Sequence, residues 1–274
     1  MLISLPNAFG DAATNMAIDA ALLESMPEGL AAFRHYGWLE PTATFGYAQH
    51  YQNVVSELAS GHRPIESTQA SAALSQKRAQ ASHLPAGISH TTFVRRLTGG
   101  GIVDHRDDWT YALVIHSSLP CAATPATTLY EQIHRAISQS LNEMGIKSHL
   151  APCPKACDSP LPQGSSIARI AKEGASQCFV NPAANDVLRP DGQKIAGAAM
   201  KRNRYGLLIQ GSIDRDALPE TFDFIKFQEH LLPQLATALD LPIGKLEDIR
   251  PLFNSEQIEH EKQRFSSEAW NQRR

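Results

Sequence analysis

The chain has 274 residues, 42% of them hydrophobic, and 25 Lys and Arg against 28 Asp and Glu give a formal net charge of −3. That length holds one large α/β domain or two small ones, with a core that needs no disulfide or metal staple. The near-neutral charge offers no general reason to expect nucleic acid or an anionic membrane as partner, and no run approaches the roughly 18 consecutive apolar residues of a membrane span.

The opening MLISLPNAFG lacks a basic region, so no signal peptide is expected and the cytoplasm is the expected compartment. A first helix is expected from Asp11 to Met26, where Met16, Ala20 and Leu23 recur at helical spacing. Two short strands follow, LAAFRHYGW and TATFGYAQ, parted by a turn at Pro41. From about residue 56 to residue 90 the chain turns polar and rich in Ser, Ala and Gln, which reads as a flexible insertion or a lid. TTFVRRLTGG and WTYALVIHS read as strands, and Leu129, Ile133, Ala136, Ile137, Leu141 and Met144 mark a helix that Gly145 ends. After a Pro-rich loop, variable over about 152–176, a β-rich block runs from Cys178 to Ile213, a helix from Phe224 to Leu239, and a polar segment closes the chain. Strands and helices without regular alternation point to a single α+β domain over 1–274, built on a mixed, largely antiparallel sheet.

The four cysteines, Cys121, Cys153, Cys157 and Cys178, are expected as free thiols. Cys153 and Cys157, with His149 nearby, make a half-motif that lacks a fourth zinc ligand, and no metal site is expected. Three consecutive glycines, Gly99 to Gly101, follow a strand and the pair Arg95–Arg96. Such a loop serves equally as a tight turn or as an anion cradle, where backbone N–H groups and guanidinium donors meet a phosphate or carboxylate. It is neither a P-loop nor a dinucleotide fingerprint, since no Gly-Lys-Ser/Thr ending follows and a strand, not a helix, comes next. Lys194 stands after the Asp191–Gly192 turn, at the head of the small-residue strand IAGAA. It reads either as a solvated hairpin lysine or as a cation that stabilises the oxyanion of acyl transfer. Cys178 reads either as a buried thiol or, beside an ammonium, as a nucleophile.

Four segments in order resemble the lipoate–protein ligase and octanoyltransferase family, whose catalytic domain is related to that of biotin protein ligases. They are NMAIDAALLE, FRHYGWLEPTATFGYAQ, RRLTGGGIVDH, and DGQKIAGAAMKR with LLIQGSI; the terminal RFSSEAWN resembles the family's closing segment. The resemblance implies a biotin/lipoate-ligase-like domain that attaches an octanoyl or lipoyl group to a lysine of a lipoyl acceptor domain. The acceptor would be a 2-oxoacid dehydrogenase E2 or the glycine-cleavage H protein. It implies Lys194 as a catalytic contact of the acyl carbonyl. It implies Arg95, Arg96, Thr98, Gly99, Gly100, Gly101, Ile102, Val103, His105 and Gly197 as substrate-binding residues. Phe33, Phe45 and Val94 are offered as the lining of an acyl tunnel.

Two chemistries share the resemblance. Cys178, Phe179 and Pro182 are similar to the Cys-Phe-x-x-Pro segment of the Bacillus-type octanoyltransferases, which take the acyl group from acyl carrier protein through a cysteine thioester and use no cofactor. Gly101, in contrast, completes the GGG form of the ligases, which use ATP and Mg2+ to make an acyl-adenylate. Asp104, Arg106 and Gln210 depart from both patterns, Gln210 standing where a histidine is usual. Asp104 and Arg106 either pair with each other or place a carboxylate against a nucleotide's phosphates. The expectation is the transferase, with the ligase as alternative and a non-catalytic lipoyl-domain- or acyl-binding paralogue as a second one.

Overall fold

The computed structural model describes residues 1–59, 91–152 and 182–273. Along these the chain forms β1 (Leu2–Ser4), β2 (Ala8–Gly10), α1 (Ala12–Ser25), β3 (Ala31–Trp38), β4 (Thr42–Phe45), α2 (Tyr51–Ala59), β5 (Thr92–Arg95), β6 (Val103–Asp104) and β7 (Asp108–His116). Then come α3 (Ala126–Glu143), β8 (His149–Leu150), β9 (Val187–Leu188), β10 (Lys194–Arg202), β11 (Gly206–Asp214), α4 (Phe224–Leu239), β12 (Ile243–Gly244), α5 (Ser255–Ser266) and α6 (Glu268–Asn271).

The large sheet runs β12-β1-β3-β7-β11-β10-β9-β8, with β2 beside β3, and a small sheet runs β5-β4-β6. The centre of the large sheet, β3-β7-β11-β10, is antiparallel, while β1 is parallel to both β3 and β12. This is the expected mixed sheet. Strand β7 shows why its sequence is an almost unbroken apolar run: both of its faces are covered. Trp109, Tyr111, Leu113 and Ile115 join the core under α3 and α4, while Ala112 and Val114 face α1 and α5 with Met16, Leu208 and Phe265.

The helices start and stop on local signals. Asp11 caps α1 by accepting the Thr14 N–H at 2.7 Å, and Asp223 caps α4 by accepting from Ile225 and Lys226. Leu129, Ile133, Ile137 and Leu141 form the wholly buried stripe of α3. Beyond it Gly145 adopts φ +83°, a left-handed exit that glycine takes without strain.

Three expectations change. The second strand stops at Phe45, because Gly46 to Gln49 form a turn in which the Gly46 N–H reaches Gln49 Oε1 at 2.8 Å. Helix α2 extends to Ala59, so the first residues of the expected insertion are helical, and residues 60–90 lie outside the described ones. The polar closing segment is helical, α5 and α6 capped by Asn254 and Ser267, with Phe265 and Trp270 buried. No helix among the described residues is long and apolar enough to cross a membrane.

Candidate active site

Strands β10 and β11 make the floor of the site. Gly197 lies opposite Ser212, Ala198 opposite Gly211, and Ala199 opposite Gln210. Gly197 and Gly211 both border the cavity, and the space a Cβ would fill is taken by the Lys194 side chain at Gly197 and by the Tyr111 ring at Gly211. The resulting cavity is bounded by apolar Met16, Tyr36, Trp38, Val103 and Ala199, with Thr44, Arg96, His105, Thr110, Gln210 and Ser212 as its polar groups and Gly100 at its edge.

Lys194 is 3% exposed and pairs with the wholly buried Asp186, Nζ to Oδ2 at 2.7 Å. A register shift between Lys194 and Ala196 bends the strand here. The amine consequently lies over Gly197, where a Cβ would stand 2.5 Å from both Lys194 Cε and Nζ. That packing rules out the solvated-hairpin reading. The Asp186 carboxylate also accepts the Ala183 N–H at 2.6 Å, and the Tyr130 hydroxyl lies 2.9 Å from its other oxygen.

In the glycine loop Gly100 adopts φ +84°. Arg96 reaches back into it, with Nη2 donating to the Gly99 and Gly101 carbonyls at 2.9 and 2.8 Å and Nη1 donating to Thr44 Oγ1 at 2.5 Å. Thr98 anchors the loop to the floor by donating to Gln210 Oε1 at 2.9 Å. His105 stacks on Trp38 with ring centroids 4.3 Å apart, its Nδ1 2.6 Å from Asp108 Oδ2 and its Nε2 2.7 Å from Thr44 Oγ1. The Asp108 carboxylate can only accept, which places a proton on His105 Nδ1, and in the neutral ring the Thr44 hydroxyl donates to Nε2 while accepting from Arg96.

Bordering the cavity, on the α1 face of the sheet, lies a buried polar network. Arg34 donates to Asp19 at 2.7 Å and to Asn15 Oδ1 at 2.8 Å, Tyr36 donates to Asp19 at 2.9 Å, and the Gln210 amide donates to Asp19 at 2.8 Å. Complete burial raises the Asp19 carboxyl from its ordinary range, while Arg34, Gln210 and Tyr36 pull it back.

The structure brings Gly197, Arg96, Gly100, Val103 and His105 to the cavity, with Lys194 packed over Gly197, Thr98 bound to Gln210 of the lining, and Gly99 and Gly101 as the carbonyls that Arg96 holds. Ile102 turns away into a small cluster with Phe45 and Val54. Arg95 does not face the cavity. It is wholly buried and donates to the carbonyls of Tyr47, Gln49, Trp270 and Asn271, so it fastens the C-terminal helices to the small sheet. The expected tunnel lining also fails: Phe33, Val94 and Phe45 belong to three separate core clusters, on opposite sides of the main sheet and beside α2. Asp104 and Arg106 do pair with each other, Arg106 Nε lying 2.9 Å from both carboxylate oxygens.

Cys178, Cys153 and Cys157 lie outside the described residues. Among the described residues no group of three or more His, Cys, Asp or Glu is placed to hold a metal ion. Sequence reasoning missed Asp186, Tyr130, Asp108 and the Asp19–Arg34 pair. A signal existed for the last, since each residue is a lone charge inside an apolar run, NMAIDAALL and LAAFRHYGW.

Comparison with known proteins follows the same outline. The sequence profile of the lipoyl protein ligase A/B catalytic domain matches residues 11–230. Octanoyltransferase LipM of Kyrpidia tusciae is 29% identical over 221 residues, covering 80% of this chain and 68% of that protein. A lipoate-protein ligase A bound with ATP superposes with a TM-score of 0.64 at 16% identity, covering 98% of this chain and 97% of the other. The bi-partite lipoate protein ligase of Thermoplasma acidophilum, solved with its E2 lipoyl domain, gives 0.62 at 15% identity, covering 98% and 95%. At those identities the two structures establish the shared fold.

Proposed function

The chain belongs to the lipoyl protein ligase A/B catalytic-domain family, and on that premise we propose that it transfers an octanoyl group from acyl carrier protein to a lysine of a lipoyl acceptor domain. The observation that carries this reading is the seat of Lys194, a buried cation laid over Gly197, which is itself one of the residues that line a largely apolar cavity. A cation fixed in a desolvated wall stabilises an oxyanion far better than one in water. The apolar side of the cavity, at Met16, Tyr36, Trp38 and Val103, takes the acyl tail, with about 0.8 kcal/mol for each methylene buried.

In this reading Cys178, sixteen residues before Lys194, is the nucleophile. Its thiolate adds to the octanoyl thioester carbonyl, Lys194 holds the resulting oxyanion, and collapse breaks the bond to the carrier's sulfur, which leaves and takes up a proton. The neutral amine of the acceptor lysine then adds to the Cys178 thioester. Collapse forms the amide, releases the Cys178 thiolate, and the amine's surplus proton passes to solvent. No cofactor is consumed. The relationship to a protein named octanoyltransferase LipM supports this donor. The acceptor is an E2 or H-protein lipoyl domain, supported by the fold shared with a ligase solved beside its E2 lipoyl domain.

Gly101 favours a second reading, an ATP-dependent ligase using Mg2+, because it completes a loop of three small residues into which an adenylate could settle. One assay separates the two. The purified protein and an apo lipoyl domain are incubated with octanoyl carrier protein, with octanoate plus MgATP, or with lipoate plus MgATP, and the acceptor is weighed by mass spectrometry. Modification from the carrier protein alone supports the transferase; modification only with ATP overturns it. Modification from no donor would leave a non-catalytic binding protein.

A further inference from the structure

The hydroxyl of Tyr130 stands at a junction that the transfer chemistry above does not use. Strand β9 pairs with β10 only as far as Ala196, opposite Val187. One step further along the same edge, Tyr130 reaches across from α3 and stands in for the neighbouring strand. The Ala198 N–H donates to its hydroxyl at 2.9 Å, and that hydroxyl lies 2.7 Å from the Ala198 carbonyl oxygen. The same oxygen is 2.9 Å from Asp186 Oδ1, while Asp186 Oδ2 pairs with Lys194. A single hydroxyl proton thus serves two acceptors, and one atom ties the backbone of β10 to the carboxylate that holds the lysine.

We propose that Tyr130 is a positioning residue for Lys194, fixing the Asp186 carboxylate against β10 so that the ammonium stays over Gly197 at the cavity wall. The lysine is tethered by a flexible four-carbon stem, and a misplacement of about 1 Å at a reacting centre costs on the order of a hundredfold in rate. The carboxylate alone would leave that stem a choice of rotamers; a carboxylate pinned to the strand that carries Lys194 removes the choice. The proposal rests on the acyl-transfer reading for its chemistry, and on geometry alone for the tether.

The test uses the full chain with Tyr130→Phe, Asp186→Asn and the double variant. Phenylalanine keeps the ring packed on His134, whose centroid is 4.1 Å away, and removes only the hydroxyl. Two readouts are taken: steady-state octanoyl transfer, and trace acetylation of Lys194 followed by peptide mass spectrometry, normalised to the exposed Lys245. Tyr130→Phe is expected to lower kcat about 10- to 100-fold with KM within about twofold, and to raise Lys194 acetylation several-fold. The double variant is expected to be no slower than Asp186→Asn, because the tyrosine acts through the carboxylate. Unchanged acetylation in Tyr130→Phe, or losses that multiply in the double variant, overturns the proposal. If Tyr130→Phe folds poorly, acetylation in Asp186→Asn tests the same tether from its other end, and an unchanged rate there overturns it as well. Trace acetylation uses acetic anhydride, which releases acetate, and needs no octanoyl carrier protein, so a wild-type chain that transfers nothing refutes the functional reading while this readout still judges the tether.

Discussion

Gly46 lies against the carbonyl of Gly100 at a distance that admits no side chain: a Cβ on Gly46 would stand 2.1 Å from the Gly100 oxygen and 2.9 Å from the Gly99 carbonyl carbon. The turn after β4 and the glycine loop after β5 are therefore locked together through two backbones. Around that contact Arg96 binds the Gly99 and Gly101 carbonyls, and Gly100 holds its left-handed dihedral. The loop's shape is imposed from outside as well as permitted by its own glycines.

Gly46→Ala tests that lock. The methyl group must push the loop away, at a cost of about 1–3 kcal/mol for overpacking at a rigid contact. Urea unfolding should show that loss, and KM for the acyl donor should rise more than about tenfold. An alanine variant with wild-type KM would show that the loop does not bind the donor.

Gly197→Ala separates positioning from stability. The new Cβ collides with Lys194 Cε and Nζ, the far end of a flexible side chain that can swing aside. Transfer should fall on the order of a hundredfold or more, while the unfolding midpoint moves little, because lysine rotamers yield more readily than backbone. Full activity in this variant would remove Lys194 from the reaction.

The central architecture could be read from the sequence because it rests on periodicity and punctuation. The stripe from Leu129 to Leu141 with Gly145 beyond it, and the alternation hidden in WTYALVI, each have one physical solution. The glycine loop and Lys194 could be read because the family resemblance marks them. Tyr130 and Asp186 could not, since their roles depend on where β9 ends and on the bend at Lys194, which are tertiary facts. Arg95 has another role for a related reason: neighbouring residues of an extended chain point to opposite sides, so of Arg95, the last residue of β5, and Arg96 just beyond it, only Arg96 reaches the cavity. The apolar Phe33, Phe45 and Val94 were equally suited to a tunnel and to a core, and composition does not distinguish them.

Arg95→Lys should behave as a structural lesion. Arg95 supplies four donor contacts to carbonyls of Tyr47, Gln49, Trp270 and Asn271, a fork that an ammonium cannot reproduce. Leaving buried carbonyls unpaired costs about 1–3 kcal/mol each at most, so a loss of a few kcal/mol is expected. Protease cleavage near α5 should accelerate, with KM for the donor unchanged where the chain is folded. A raised KM with normal stability would restore the substrate-binding role.

Stability should fall in mild acid. Burial pushes both His35 and His134 down to about 4, and each ring faces a backbone oxygen through Nδ1, at 2.8 Å from Thr110 and 2.7 Å from Asn185. The Nδ1 therefore carries the proton, and protonating Nε2 of His134 would create a buried N–H without a partner among the described residues. Because the folded values lie below the ordinary 6.5, the unfolded chain takes up protons first. Stability is complete above about pH 6.5 and declines as pH falls towards 4, by no more than roughly 7 kcal/mol for the two together. Asp19, raised by burial, works in the opposite sense at the acid end. Urea midpoints between pH 7 and pH 4.5 measure this, and His134→Gln should flatten the profile; an equal slope in that variant would contradict it.

The most direct measurement is to capture the acyl-enzyme. The protein is mixed with octanoyl carrier protein in the absence of acceptor and of ATP, quenched in acid, and digested for peptide mass spectrometry. An octanoyl thioester on Cys178 that disappears on adding apo lipoyl domain, with the label appearing on the acceptor lysine, is the predicted result. An acceptor octanoylated at the wild-type rate by Cys178→Ala, or labelled only when ATP is supplied, would contradict the account.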